Sequence, residues 1–199
     1  MPDDDAQTDL QADVQTDART DVRIAQAEAL LRELGADHLA HPGGTLLAHL
    51  RRVRSRLAGW GAGPALQLAG LCHAFYGTDG FPEALLPLDR RTGLAEAIGR
   101  EAEAIVYFYA SCHRKANYPT LAEPDSLFRD RFTGSEQIPA PVMLRAFADL
   151  TAANELDLAD HDPAFRERWG PDLLALFTRF RPLLSEAAWD DCRRVLATA

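Results

Sequence analysis

Two histidines on the inward faces of helices constrain this chain more than any other feature of it. His49 lies in Leu46-Leu47-Ala48-His49-Leu50-Arg51-Arg52-Val53, and His73 follows 24 residues later in Leu71-Cys72-His73-Ala74-Phe75-Tyr76-Gly77. On the first segment Leu46, His49, Leu50, Val53 and Leu57 fall on one i, i+3, i+4 stripe, with the neighbouring arginines turned away. On the second, Leu66, Ala69, Gly70 and His73 share a face, and the small pair Ala69-Gly70 lets another helix approach beside the ring. A buried imidazole loses the water on its two nitrogens, so each ring needs partners. Two readings follow. Either the histidines belong to a hydrogen-bonded polar core, or they share a metal ion.

The apolar spacing is helical almost throughout. Ile24, Ala27, Leu30, Leu31 and Leu34 form a stripe that Gly35 ends. Thr45 is an N-cap for a helix to about Gly59, and Pro64 opens another, through about Tyr76, at a first-turn position. Leu94 to about His113 reads as the longest helix, with Ile98, Ala102, Ile105, Val106 and Tyr109 inward. Further helices are expected over about 140–157, 163–180 and 185–197. Pro119, Pro124, Gly134 and Pro139 make 117–139 a long irregular excursion with room for one short helix; loops of that length are often functional lids. No alternating strand pattern occurs, so the fold class is all-α. At 199 residues the chain fits one domain, given about 100–200 residues per domain. Residues 1–21 hold seven aspartates and no aromatic residue, and Asp9, Asp13, Asp17 and Asp21 would line like charges along one helix face. That segment is expected to be a disordered acidic tail, with the folded domain over 22–199.

Composition narrows the function classes. A formal charge of −9 argues against nucleic-acid binding, which needs clustered cations. The run Arg51, Arg52, Arg54 and Arg56 reads as the solvated face of its helix. No apolar stretch is long enough for a membrane span and the N-terminus has no apolar signal core, so a cytoplasmic protein is expected. Cys72, Cys112 and Cys192 are widely spaced and odd in number, which supports neither a disulfide framework nor a zinc knuckle.

On a later helix Val142, Ala146, Asp149, Ala153 and Leu156 line up, placing the Asp149 carboxylate on a small apolar face. Carboxylates are rarely buried unpaired, so two histidines and one acid from three helices are candidates to converge. These segments, Leu-Ala-His49-Leu-Arg-Arg-Val, Leu-Ala-Gly-Leu-Cys-His73-Ala-Phe-Tyr-Gly and Ala-Phe-Ala-Asp149-Leu, resemble the HD superfamily of helical metal-dependent phosphohydrolases over about residues 22–160. The stretch after His73 also resembles bacterial proteins that carry a His-x-x-Tyr-Gly-Thr motif. The resemblance implies an HD-like helical bundle in which His49, His73 and Asp149 bind a divalent metal (Fe, Mn, Co or Zn). It departs at the His-Asp doublet, whose acid is Ala74 here, so a two-metal site lacks a ligand. What remains is a 2-His-1-carboxylate set, compatible with mononuclear iron or zinc.

Three functions stand on that basis. The first is a hydrolase of a small phosphorylated or nucleotide-like compound, with Arg51, Arg114 and Lys115 as the cations available to phosphate. The second is a mononuclear non-haem iron oxygenase on the same scaffold, and the third a non-catalytic small-molecule or protein binding module with a degenerate metal site. Tyr76, three residues after His73, is a candidate donor to substrate or a packed aromatic. His41 lines a pocket mouth or makes a turn. His113, beside Arg114 and Lys115, binds an anion or interacts with a helix end. Thr78 and Asp79 belong to a turn, with Asp79 the available substitute for the missing acid. Asn154 and Glu155 lie off the Asp149 stripe and read as surface or capping residues.

Overall fold

Thr45 caps the helix that carries the first histidine. Its hydroxyl accepts the Ala48 N–H at 3.2 Å and satisfies one of the amides that the first helical turn leaves free. The computed structural model describes residues 3–197, with side chains over residues 18–197. Its first half runs α1 (Asp3–Glu33), a hairpin of β1 (Ala40–His41) and β2 (Gly44–Thr45), α2 (Leu46–Gly59) and α3 (Pro64–Cys72). A 3-10 turn at Leu88–Arg90 leads to α4 (Arg91–Ile98), α5 (Arg100–Ser111) and the single turn α6 (Arg114–Asn117). A second hairpin, β3 (Phe128–Arg129) with β4 (Glu136–Gln137), precedes α7 (Pro141–His161), α8 (Pro163–Phe180) and α9 (Glu186–Leu196). The chain is thus one mostly helical globular domain, and strand among the described residues is confined to two short antiparallel pairs. Pro64, Pro141 and Pro163 each sit in a first turn, where a missing N–H costs nothing. Among the described residues no helix is long and apolar enough to cross a membrane.

Four boundaries differ from those expected. Within the segment expected as an acidic tail, residues 3–21 lie in α1. Residues 1 and 2 lie outside the described residues. The long helix expected from Leu94 is divided into α4 and α5 by Gly99, whose φ of 91° is left-handed and cannot continue a helix. α3 ends at Cys72, so His73 stands at its C-cap and the chain turns through 73–76. The excursion after residue 117 carries the β3–β4 hairpin in place of a short helix beyond α6.

The core forms where α2, α3, α5 and α7 meet. At Gly70 a Cβ would lie 2.5 Å from Leu57 Cδ1, so the absence of a side chain lets α2 and α3 pack closely beside the histidine-bearing end of α3. Cys72, Cys112 and Cys192 are all buried and unbonded to one another. Phe147 of α7 is almost wholly buried and meets Phe108 and Tyr109 of α5, Tyr118 after α6 and Phe128 of β3. It therefore joins the helical core to the second hairpin. Phe147→Ala is expected to cost about 3–5 kcal/mol and lower the melting temperature by roughly 10 °C in a thermal denaturation followed by circular dichroism.

Candidate functional site

The acid that meets the histidines is Asp157, eight residues beyond the one that the apolar spacing singled out. Its Oδ2 accepts His49 Nδ1 at 2.6 Å, and both side chains are about 1 % exposed. Arg52 closes the group, donating Nε to Asp157 Oδ1 at 2.8 Å and Nη2 to Oδ2 at 2.9 Å. This two-pronged pairing is what a guanidinium does best with a carboxylate. Arg52 also donates to the carbonyls of Pro42 at 3.0 Å and Gly43 at 3.2 Å, so the β1–β2 turn is fastened to the same ion pair. Gly43 permits this approach: its φ is 76°, and a Cβ there would lie 2.7 Å from His161 Cδ2 and 2.9 Å from Arg52 Nη2. The fastened turn lays the His41 ring on that of His49, with centroids 4.2 Å apart and planes 30° from parallel.

The other nitrogen of His49, Nε2, lies 3.0 Å from Asn154 Oδ1. Both ring nitrogens therefore have an oxygen partner. His73 is held differently. Its Nδ1 donates to the Gly70 carbonyl at 2.8 Å, which leaves the lone pair on Nε2. The His73 ring stands edge-on between His49, 5.4 Å away, and Tyr109, 5.5 Å away. These side chains line a cavity of about 360 Å³ together with Arg114, Asn154, Glu155 and Phe165. Arg114 donates Nη1 to Glu155 Oε1 at 3.2 Å, and its backbone N–H is held by Asp79 at 2.8 Å. The Tyr109 hydroxyl and His41 Nδ1 are buried without a hydrogen-bond partner among the described residues.

Burial sets the protonation of these groups. Desolvation pulls His73 down to about 3 and His41 down to about 4, with the charge on His49 adding to both. Burial also pushes the Tyr109 hydroxyl well above its ordinary range, against the pull of Arg114. For Asp157 burial acts upward, but hydrogen bonds from His49 and Arg52 outweigh it and hold the carboxyl at about 2. The cavity thus carries two neutral imidazoles, those of His41 and His73, and the guanidinium of Arg114, which is paired with Glu155.

Of the candidate catalytic and metal-binding residues, His41, His49 and His73 meet at this cavity, where Thr78 and Arg114 also lie, while Asp149, Tyr76 and His113 stand elsewhere. Asp149 accepts the Ser185 N–H at 2.9 Å and lines a separate cavity beside α3 and α5; burial raises its carboxyl despite that bond. Tyr76 turns away and donates to Glu103 Oε1 at 3.0 Å. His113 caps α6, its Nδ1 accepting the Ala116 N–H at 3.3 Å. Arg51 pairs with Glu28, and Asp79 holds the Arg114 amide. Asn154 and Glu155, expected at the surface, are buried at 8 % and 7 % and line the cavity. Asp157 was missed because the stripe was drawn through Asp149; its signal was a lone acid in Leu156-Asp157-Leu158, one helical turn from both Asn154 and His161.

A resident divalent ion needs donors with free lone pairs, preferably including an anion. Here His49 has both nitrogens engaged, the Asp157 oxygens belong to His49 and Arg52, and Asp149 lies elsewhere. Position 74, where the family resemblance puts an acid, is alanine in the cavity wall. Among the described residues no group of three or more His, Cys, Asp and Glu is arranged to hold a metal ion. The donor set as built does not fit a resident metal.

Fold and site together define a mostly helical domain with a buried, histidine-lined cavity. Over residues 30–114 the chain is similar to a family described as a domain of unknown function, DUF6817, a span that includes all three cavity histidines but not α7. No curated protein and no solved structure matches it.

Two outcomes test this geometry. Asp157→Asn leaves Arg52 and His49 without their anion and is expected to cost about 3 kcal/mol or more, read as a lower urea midpoint at pH 7. The histidines give a pH dependence. Both have folded values below the ordinary 6.5, so the unfolded chain binds more protons as pH falls from 6.5 towards 4. Stability is therefore full above that window and declines within it, and His73→Phe reduces the decline. Below it Asp157 continues the loss, from the ordinary 3.8 down to about 2.

Proposed function

We propose that this chain is a ligand-binding domain on an HD-like helical scaffold, whose cavity takes a small organic anion bearing a hydroxyl donor. One observation carries the reading: His73, fixed by the Gly70 carbonyl, keeps a lone pair on Nε2 in a cavity that Arg114 also lines. A hydroxyl donates to the imidazole, and the anion accepts from guanidinium donors beyond the single Nη1 bond to Glu155. The volume of about 360 Å³ suits a small molecule. Binding is favoured over catalysis because a general base works best with a pKa near the working pH. At about 3 and about 4, His73 and His41 stay neutral acceptors instead.

The second reading is the metal-dependent hydrolase of a small phosphorylated compound. What favours it is that His49 and His73 each have Nδ1 tied to an oxygen acceptor, the outer-shell arrangement typical of metal-ligating histidines. It requires His49 to give up its Nε2 bond to Asn154.

Isothermal titration calorimetry with 2-hydroxybutanoate, butanoate and 1-butanol tests both. The hydroxy acid is expected to bind about tenfold more tightly than butanoate, the value of one buried hydrogen bond, with 1-butanol weakest. His73→Phe should remove the hydroxyl preference and Arg114→Gln the preference for the anion. Absence of binding, or equal binding of all three, overturns the ligand reading. Stoichiometric uptake of Zn(II) or Mn(II) that is lost in both His49→Ala and His73→Ala establishes the metal reading in its place.

A further inference from the structure

Beside the histidine-lined cavity lies a second, of about 400 Å³, walled by Phe165, Trp169, Leu173 and Leu176 of α8 and by Tyr118. The two share Arg114, Glu155 and Phe165 as a common wall. It is the more apolar of the two along α8, where Phe165, Trp169, Leu173 and Leu176 lie beside Asp172 and Arg179, and Trp169 is 42 % exposed. The polar groups at the junction are incompletely satisfied. The Tyr109 hydroxyl on one side and the Tyr118 hydroxyl on the other are both buried without a partner among the described residues, and the Arg114–Glu155 contact is a single 3.2 Å bond. Buried hydroxyls in native proteins nearly always have partners, so two without one flanking the same ion pair mark a place where something polar belongs.

We infer that the two cavities form one bipartite site, with the Arg114–Glu155 pair as its neck, for an amphipathic ligand. The polar head lies among the histidines, its anionic group on Arg114 and within reach of the unpartnered hydroxyls, while an alkyl tail of moderate length passes the neck and covers the α8 wall. The inference rests on the ligand-binding reading and adds to it the substrate class: a medium-chain hydroxy acid in preference to a short one. The complementarity is in the walls themselves, since a short polar ligand would leave the apolar side of the second cavity, with the half-exposed Trp169, unfilled.

The test compares 2-hydroxybutanoate with 2-hydroxyoctanoate, below its micellar range, by isothermal titration calorimetry on the full chain. Full burial of the added methylenes is worth roughly fourfold in affinity each, so the longer acid is expected to bind on the order of a hundredfold more tightly. Leu173→Trp fills the second cavity; with its fold checked by circular dichroism, it should bind 2-hydroxybutanoate as the wild type does and lose the gain from chain length. If the short acid binds and the long one gains nothing, the bipartite site is wrong while the ligand-binding reading stands. A gain that persists in folded Leu173→Trp puts the tail elsewhere and overturns the inference. If neither acid binds, both fail together. The wild-type chain-length comparison decides the matter even where the variant does not fold.

Discussion

The structure turns on one buried carboxylate. Taking Asp157 out of water costs several kcal/mol unless its oxygens are matched. His49 and Arg52 match them from α2, so the polar group also fixes how α2 lies against α7. The same arginine holds the β1–β2 turn through two carbonyls, and that turn positions His41. One ion pair therefore locates α7 against α2 and the turn that precedes α2, which helix–helix packing of apolar side chains alone would leave freer to slide. The consequences reach the cavity. The rings packed against His49, those of His41 and His73, are kept neutral chiefly by desolvation.

Much of the fold was legible because its causes are local. Thr45 and the first-turn prolines act on the amides next to them, and apolar spacing identifies inward faces without knowledge of what they meet. What was not legible depended on neighbours. Gly99 is compatible with a helix interior at a modest cost until its φ is known.

The site divides along the same line. His49 and His73 were legible as inward rings because periodicity marks them, and His41 because it lies at a turn near them. The acid was not. α7 is apolar on several sides and largely buried, so a single stripe does not distinguish Asp149, which meets the Ser185 amide, from Asp157, which meets His49. Arg52 carried a signal that was read the wrong way: it lies beside the buried stripe of α2, and a long side chain there reaches back to a buried carboxylate as readily as out to water. Asn154 and Glu155 were set aside for lying off the Asp149 stripe, yet a helix buried on most of its circumference has more than one inward face.

Charge balance then decides what the cavity can hold. Each acid near it already has its cation, Asp157 in Arg52 and Glu155 in Arg114, so no carboxylate is left over to attract a divalent ion. Alanine at position 74 and asparagine at 154 add no anion where the histidines meet. The donors and acceptors that remain on its wall are lone-pair nitrogens of His73 and His41, guanidinium N–H groups of Arg114, and the Tyr109 hydroxyl, which acts either way. The proposed complement is therefore a molecule that donates through a hydroxyl to an imidazole and accepts through an anionic group, whose charge falls to the donors that Arg114 keeps beyond its single bond to Glu155.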